Sequence, residues 1–148
     1  GSDPIGSYIE HAFNLEQLVA ELLAPARQKK SVDKELALLD LESDDFTNVR
    51  SFRIDERTIV ILEGVLLYRE PVDEYFDYRI FLDIGFDEML HRAETRDVPR
   101  FGTDFVKRYR DKYIPVQKWY LKQYSPRRKC DIVIDNADYN YPGVKGIG

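Results

Sequence analysis

Apolar residues recur at helical spacing between Ser7 and Leu23, where Ile9, Phe13, Leu15, Leu18, Val19, Leu22 and Leu23 share one face. An amphipathic helix is predicted there, ending at Ala24-Pro25 because the residue before a proline is pushed out of helical geometry. The following stretch is highly charged and only partly periodic. Glu35 to Leu41 reads as a short strand or extended segment, with an acidic turn at Ser43-Asp44-Asp45. Ser51 to Ile54 reads as another short strand, closed by a turn at Asp55-Glu56-Arg57. Thr58 to Leu62 (TIVIL) carries the clearest strand pattern, β-branched, apolar and uninterrupted, as in a sheet covered on both faces. Tyr78 to Ile84 and Asp131 to Ile134 repeat that pattern. Between them, Asp87 is the expected N-cap of DEMLHRAETRD, and Thr103-Asp104 opens a long helix that Pro115 kinks or divides. The tail NADYNYPGVKGIG reads as irregular. Strands alternating with helices predict βαβ units, and hence an α/β fold with a doubly wound parallel sheet and flanking helices.

Length and composition add limits. Residues 1–148 are most simply one domain, and 43% apolar residues suffice for a core. A net charge of -5 argues against a general nucleic-acid binder, yet between His91 and Lys129 twelve Lys/Arg face four Asp/Glu. That local excess suits either an anion the size of a nucleotide or an ordinary solvated helix surface. Cys130 is the single cysteine, so no intrachain disulfide and no cysteine-based zinc site is expected, and a buried filler role is. No apolar run approaches the ~18 residues of a membrane span, and no signal-peptide pattern opens the chain. A cytoplasmic, reducing setting without membrane or nucleic-acid partners is expected.

Two stretches carry candidate chemistry. Glu63-Gly64 follows the best strand, and in open α/β sheets ligands sit beyond the carboxyl ends of strands. A carboxylate there could hold magnesium or orient a substrate hydroxyl; an exposed acid beside a turn glycine is the plain alternative. The second stretch is HRAETRDVPRFGTDFVKRYR. Arg92 and Arg96 lie four apart, Arg100 follows Pro99, and Lys107, Arg108 and Arg110 begin the next helix. Clustered guanidinium groups suit the charge of a phosphoryl group in transfer. Glu88 and Arg92 are also four apart, which is an ordinary helix-face ion pair. His11 and His91 lack ligand-spaced partners and read as surface or packing residues. The aromatic stripe of Tyr109, Tyr113, Trp119, Tyr120 and Tyr124 reads as packing rather than a base-stacking platform.

Taken in order, VILEG-V-L-L, FDYRIFLD, the arginine series R-x-x-x-R-D-x-x-R-x-G and DIVIDN resemble the uridine kinase-like branch of the P-loop nucleoside and phosphoribulose kinases. HAFNLEQLVAELL resembles that family's substrate helix, and LLDLESDDFTNVR its later YD…R segment, so the resemblance spans roughly Tyr8 to Tyr141. It implies a P-loop NTPase-like, nucleoside kinase-like fold with lid helices over about residues 87–124. It also implies transfer of the γ-phosphoryl of ATP, with Mg2+, to a nucleoside or similar small-molecule hydroxyl. By resemblance Glu63 is a catalytic residue near the magnesium, and Arg92, Arg96 and Arg100 are catalytic lid arginines. His11, Asp40 and Arg50 lie near the nucleoside, and Asn136 near the adenine end of the cofactor.

The departures are specific. No G-x-x-x-x-G-K-[ST] phosphate loop occurs among the 148 residues. The family's first strand, phosphate loop and second strand, and the D-D-F-Y motif with its base, are therefore expected upstream of residue 1. Asp44-Asp45-Phe46 imitates that motif from the wrong place. His11 stands where the family has aspartate, and Leu39 where it has tyrosine, leaving the acceptor open. The family topology puts the lacking first strand between the Thr58–Leu62 and Tyr78–Ile84 strands. Either these close up, or a second copy or an N-terminal segment fills the gap. The chain alone is expected to be inactive or nearly so. The alternative is a non-catalytic kinase remnant that binds a protein or anionic ligand through its basic hairpin.

Overall fold

The computed structural model describes Gly6 and residues 14–29, 31–40 and 45–147. They fall into two compact units, one spanning Asn14–Tyr75 and one built from Phe76 onward. The sheets are mixed. A two-stranded antiparallel sheet lies in the first unit, and a three-stranded sheet with one parallel and one antiparallel pairing lies in the second. The expectation of a parallel sheet is thus met by a single strand pair.

In the first unit, Asn14 caps helix α1, residues 15–29. Its side chain accepts from the Gln17 N–H at 3.1 Å and donates to the Gln17 side-chain oxygen at 2.9 Å, a reciprocal cap. The predicted residues before Asn14 lie outside the described set. The helix does not stop at Pro25. Val19–Leu23 widens into a π-turn in which the Ala24 N–H bonds to the Val19 carbonyl, and the chain continues helically through Ala24–Lys29. Proline has no N–H to offer and crowds the carbonyl four residues back; the wider turn accommodates both faults. Strands β1 (Val32–Asp40) and β2 (Asp45–Ile54) then form a hairpin in register from Val32↔Ile54 to Leu38↔Asn48, with a bulge before Asp40↔Asp45. Both strands are longer than predicted, and the positions between them lie outside the described residues. Lys34 pairs with Glu21, joining β1 to α1.

The turn predicted at Asp55-Glu56-Arg57 is present. The Asp55 carboxylate accepts from the Arg57 N–H at 2.9 Å and the Thr58 hydroxyl at 2.8 Å. The strand predicted at Thr58 to Leu62 is absent. The segment has no regular secondary structure, no ladder hydrogen bond joins it to another strand among the described residues, and Ile59 and Ile61 are 87% and 86% exposed. A β-branched apolar run becomes a strand only when a neighbour supplies the ladder and cover. The sharp turn expected at Gly64 falls elsewhere too. A side chain at Gly64 would make only ordinary contacts with Leu67, whereas Leu66 takes φ 61° while 3% exposed. Burial of Leu66 holds a backbone conformation that non-glycine residues rarely adopt.

The second unit places β3 (Ile80–Asp83) parallel to β4 (Ile132–Asp135), and β4 antiparallel to β5 (Gly143–Ile147). The tail expected to be irregular supplies β5. Helix α2 (Phe86–Arg96) follows β3, and its N-cap is Gly85; Asp87 sits in the first turn. A short helix α3 (Val98–Phe101) leads to Gly102 at φ 82°, where glycine is required. Helix α4, residues 104–124, passes Pro115 by a second π-turn at Tyr109–Tyr113, with the Ile114 N–H bonded to the Tyr109 carbonyl. Ser125 in left-handed geometry ends it, and α5 (Pro126–Lys129) returns the chain to β4. Ala93, Val116, Tyr120, Cys130 and Val133 are buried in this unit, so Cys130 is the expected filler.

Candidate functional site

The carboxyl ends of the parallel pair gather charge. β3 and β4 both end in aspartate, and the register sets Asp83 opposite Asp135. The β4–β5 pairing skips one residue, Lys145, between Gly146 and Val144. A bulge re-aims the side chain it carries, and Lys145 Nζ lies 3.2 Å from Asp83 and 3.1 Å from Asp135. Arg127 adds a contact to Asp83 at 2.9 Å. The Ala137 N–H and Lys145 hold the Asp135 carboxyl below the usual carboxylate range. The pair was missed from sequence, although both strand texts, YRIFLD and DIVID, end in aspartate.

Asn136 follows directly. Its N–H donates to the Asp83 carbonyl at 3.0 Å, and its own carbonyl accepts from Arg92. Arg92 also donates to the Ala137 carbonyl at 3.0 Å, pairs with Glu88 at 2.7 Å and lies 5.2 Å from the Tyr139 ring. Arg92 and Asn136 are therefore brought together, with Arg92 holding the loop after β4. The Glu88–Arg92 pair foreseen as the plain alternative is formed.

Arg96 and Arg100 flank the turn from α2 into α3. Asp97, between them, is 7% exposed and forms the centre of the cluster. Its carboxylate accepts from Arg96 Nε at 2.7 Å and Nη2 at 3.0 Å, and from the Tyr109 hydroxyl at 2.9 Å. Those bonds, Arg96 first, hold the Asp97 carboxyl below its ordinary range, with Arg100 contributing through its charge. The pairing raises Arg96 further, and burial together with Asp97 raises the Tyr109 hydroxyl. Phe101 stacks on Phe105, and Phe105–Tyr109 and Tyr109–Tyr113 meet edge to face, with ring centroids 4.9, 5.7 and 5.0 Å apart. An open groove of about 680 Å³ runs between Glu94 and Val98 on one side and Val106, Lys107 and Arg110 on the other.

The remaining predicted residues lie elsewhere. Glu63 belongs to the first unit, exposed in a segment without regular secondary structure. Asp40 and Arg50 are on the hairpin, but Arg50 pairs with Leu36, four residues along β1 from Asp40. At ~3.3 Å per strand residue they stand about 13 Å apart. His91 is exposed on α2. His11 lies outside the described residues. Among the described residues no three His, Cys, Asp or Glu side chains are grouped to hold a metal ion.

The fold and these sites define a mixed α/β protein with a basic helical hairpin and a charged edge at the ends of its parallel strands. No protein-family model matches the chain. It is similar to uridine kinase-like protein 3 of Arabidopsis thaliana, at 27% identity over 136 residues. That alignment covers 90% of this chain and 28% of the relative, so the chain spans a little over a quarter of the protein it matches. The likeness suggests a kinase-family relationship. No helix among the described residues is long and apolar enough to cross a membrane.

Proposed function

We propose that this chain is the lid and acceptor-side part of a uridine kinase-like phosphotransferase, which moves the γ-phosphoryl of ATP to a hydroxyl of a nucleoside or similar small molecule. The observation that carries this reading is the similarity to a uridine kinase-like protein over 90% of the chain, together with the preserved order of the EG dipeptide, arginine series and final strand. Mg2+-ATP, when bound, supplies the phosphoryl group. Glu63 would contribute the carboxylate nearest the ion, with Arg96 and Arg100 neutralising phosphate charge from the hairpin turn. Asn136 would sit toward the adenine, and His11, Asp40 and Arg50 toward the acceptor. With no phosphate loop in its sequence, the chain alone has little or no activity, and a longer chain or a complementing segment supplies the loop. A homo-oligomer is the other arrangement that could fill the sheet.

A second reading has its own support. Ile59 to Gly64 make no ladder hydrogen bond among the described residues, so Glu63 is not preset by a sheet. That favours a non-catalytic module that uses the basic hairpin for a protein or anionic ligand. Calorimetric titration with MgATP and a nucleoside panel separates the two, run on this chain and on a longer one containing a phosphate loop. The kinase reading expects tight ATP binding and turnover only in the longer chain, with Arg96→Ala and Arg100→Ala losing turnover by at least about tenfold. Absence of turnover in every longer chain would discard it.

A further inference from the structure

We propose that Asp97 and Tyr109 are positioning residues that set Arg96 to receive the oxygens of a phosphate chain at the α2–α3 turn. This rests on the phosphotransferase reading for the choice of ligand, but its geometry is independent of it. Among the described residues Asp97 is the buried charged residue of the second unit, and it is contacted from two elements: Arg96 at the end of α2 and Tyr109 on α4. Burying a carboxylate is costly unless it is paired and hydrogen-bonded. Here that cost is offset by one guanidinium and one hydroxyl, both held in fixed directions.

The division of the guanidinium matters. Asp97 takes the Nε/Nη2 edge of Arg96, and the Tyr109 hydroxyl lies 3.3 Å from Nη2. Nη1 makes no hydrogen bond among the described residues, and the Arg96 side chain is 70% exposed. One edge of the fork is anchored while the opposite edge looks into solvent. A guanidinium presents five donors in a rigid plane, so fixing one edge fixes the direction of the other. Asp97 thus orients Arg96 without using the donors an incoming oxyanion would need. The backbone adds rigidity at the same point: the Asp97 carbonyl accepts from the Arg100 N–H at 3.1 Å and the Phe101 N–H at 2.8 Å. Arg100, close enough for its charge to act on Asp97, lies beside the same turn. Pre-orientation of this kind strengthens binding by removing the ordering cost of a long side chain.

The test is calorimetric titration of the 148-residue chain with inorganic tripolyphosphate, which needs no nucleoside, acceptor or turnover. Wild-type protein binds. Arg96→Lys, Asp97→Asn and Tyr109→Phe each weaken affinity by about three- to tenfold. Lys122→Gln, which removes a positive charge at an exposed position of α4, changes it less than about twofold. In wild-type protein the Arg96 Nε–H gives a downfield, slowly exchanging NMR signal, and this protection falls in Tyr109→Phe and Asp97→Asn. Should Asp97→Asn not fold, Tyr109→Phe carries the test by itself. No binding by wild-type protein, or an equal loss with Lys122→Gln, overturns the proposal. Tighter binding by Asp97→Asn also overturns it, because Asp97 would then compete with the anion. The expected pattern without phosphoryl transfer in any longer chain would sink only the kinase reading. Turnover in a longer chain unmoved by Tyr109→Phe, with unchanged tripolyphosphate affinity, would sink only the positioning role.

Discussion

At the scale of single residues, charge is tied down by neighbours that the sequence places far away or immediately adjacent. Asp97 has its pKa lowered in the folded state, so its contribution to stability is fully present above the unfolded value, about 3.9, and is lost as pH falls through the lower folded value. Tyr109 is raised, so its contribution is present below the unfolded value near 10 and is lost as pH rises through the folded one. The same small cluster should therefore weaken at both extremes. Urea unfolding across pH is expected to show a flatter acid loss for Asp97→Asn and a flatter alkaline loss for Tyr109→Phe than for wild type. At the sheet edge, Lys145→Met leaves Asp83 facing Asp135 without the ammonium between them. The Asp135 carboxyl should then titrate at higher pH, which carbon NMR of the carboxyl groups would register. Much of this chemistry was only half legible. R-x-x-x-R-D-x-x-R announced a basic turn, but not that its aspartate would be buried and its second arginine anchored, because burial depends on α4 packing back over the turn. Lys145 gave no signal, since its reach depends on a one-residue bulge that no composition rule marks.

At the scale of elements, both helices that contain proline solve its problem in the same way. VAELL-A-P and YRDKY-I-P each place a five-residue π-turn and one further residue before the ring. The first helix was expected to end at its proline and the second to be kinked or divided by its own; the widened turn explains why both continue. The apolar runs of β3 and β4 were legible although the two strands pair across about fifty residues, because each run carries its own strand pattern. Strands were misjudged where the pattern is weak and the neighbour decides, as with the lengthened β1 and β2 and with β5, which pairs along β4. The end of α4 gives a direct check. Ser125 holds φ 47° without a glycine's freedom, so Ser125→Gly should raise stability by up to about 1 kcal/mol. Val116, 1% exposed in the same helix, should cost about 2 kcal/mol on truncation to alanine. Chemical denaturation measures both.

At the scale of the whole molecule, the segment with the strongest strand pattern stands outside both sheets of the described residues. TIVIL was read as a strand from its apolar, β-branched run, and it forms none; what the pattern could not contain is the neighbour that would turn it into a strand. Ile61→Lys should leave unfolding free energy within about 0.5 kcal/mol, because the side chain is already 86% exposed. The same substitution should reduce self-association in light scattering, since an open apolar edge invites pairing.

A backbone without regular structure or ladder hydrogen bonds is also what protease clefts reach most readily. A protease that cuts before large aliphatic residues should make its first cut between Thr58 and Leu62, ahead of any site in α4. The early fragments would then act as a stopwatch for coverage. A chain or ligand that pairs with the segment would slow that first cut and leave the others unchanged, so mass spectrometry of a brief digest could screen for whatever completes the sheet before its identity is known.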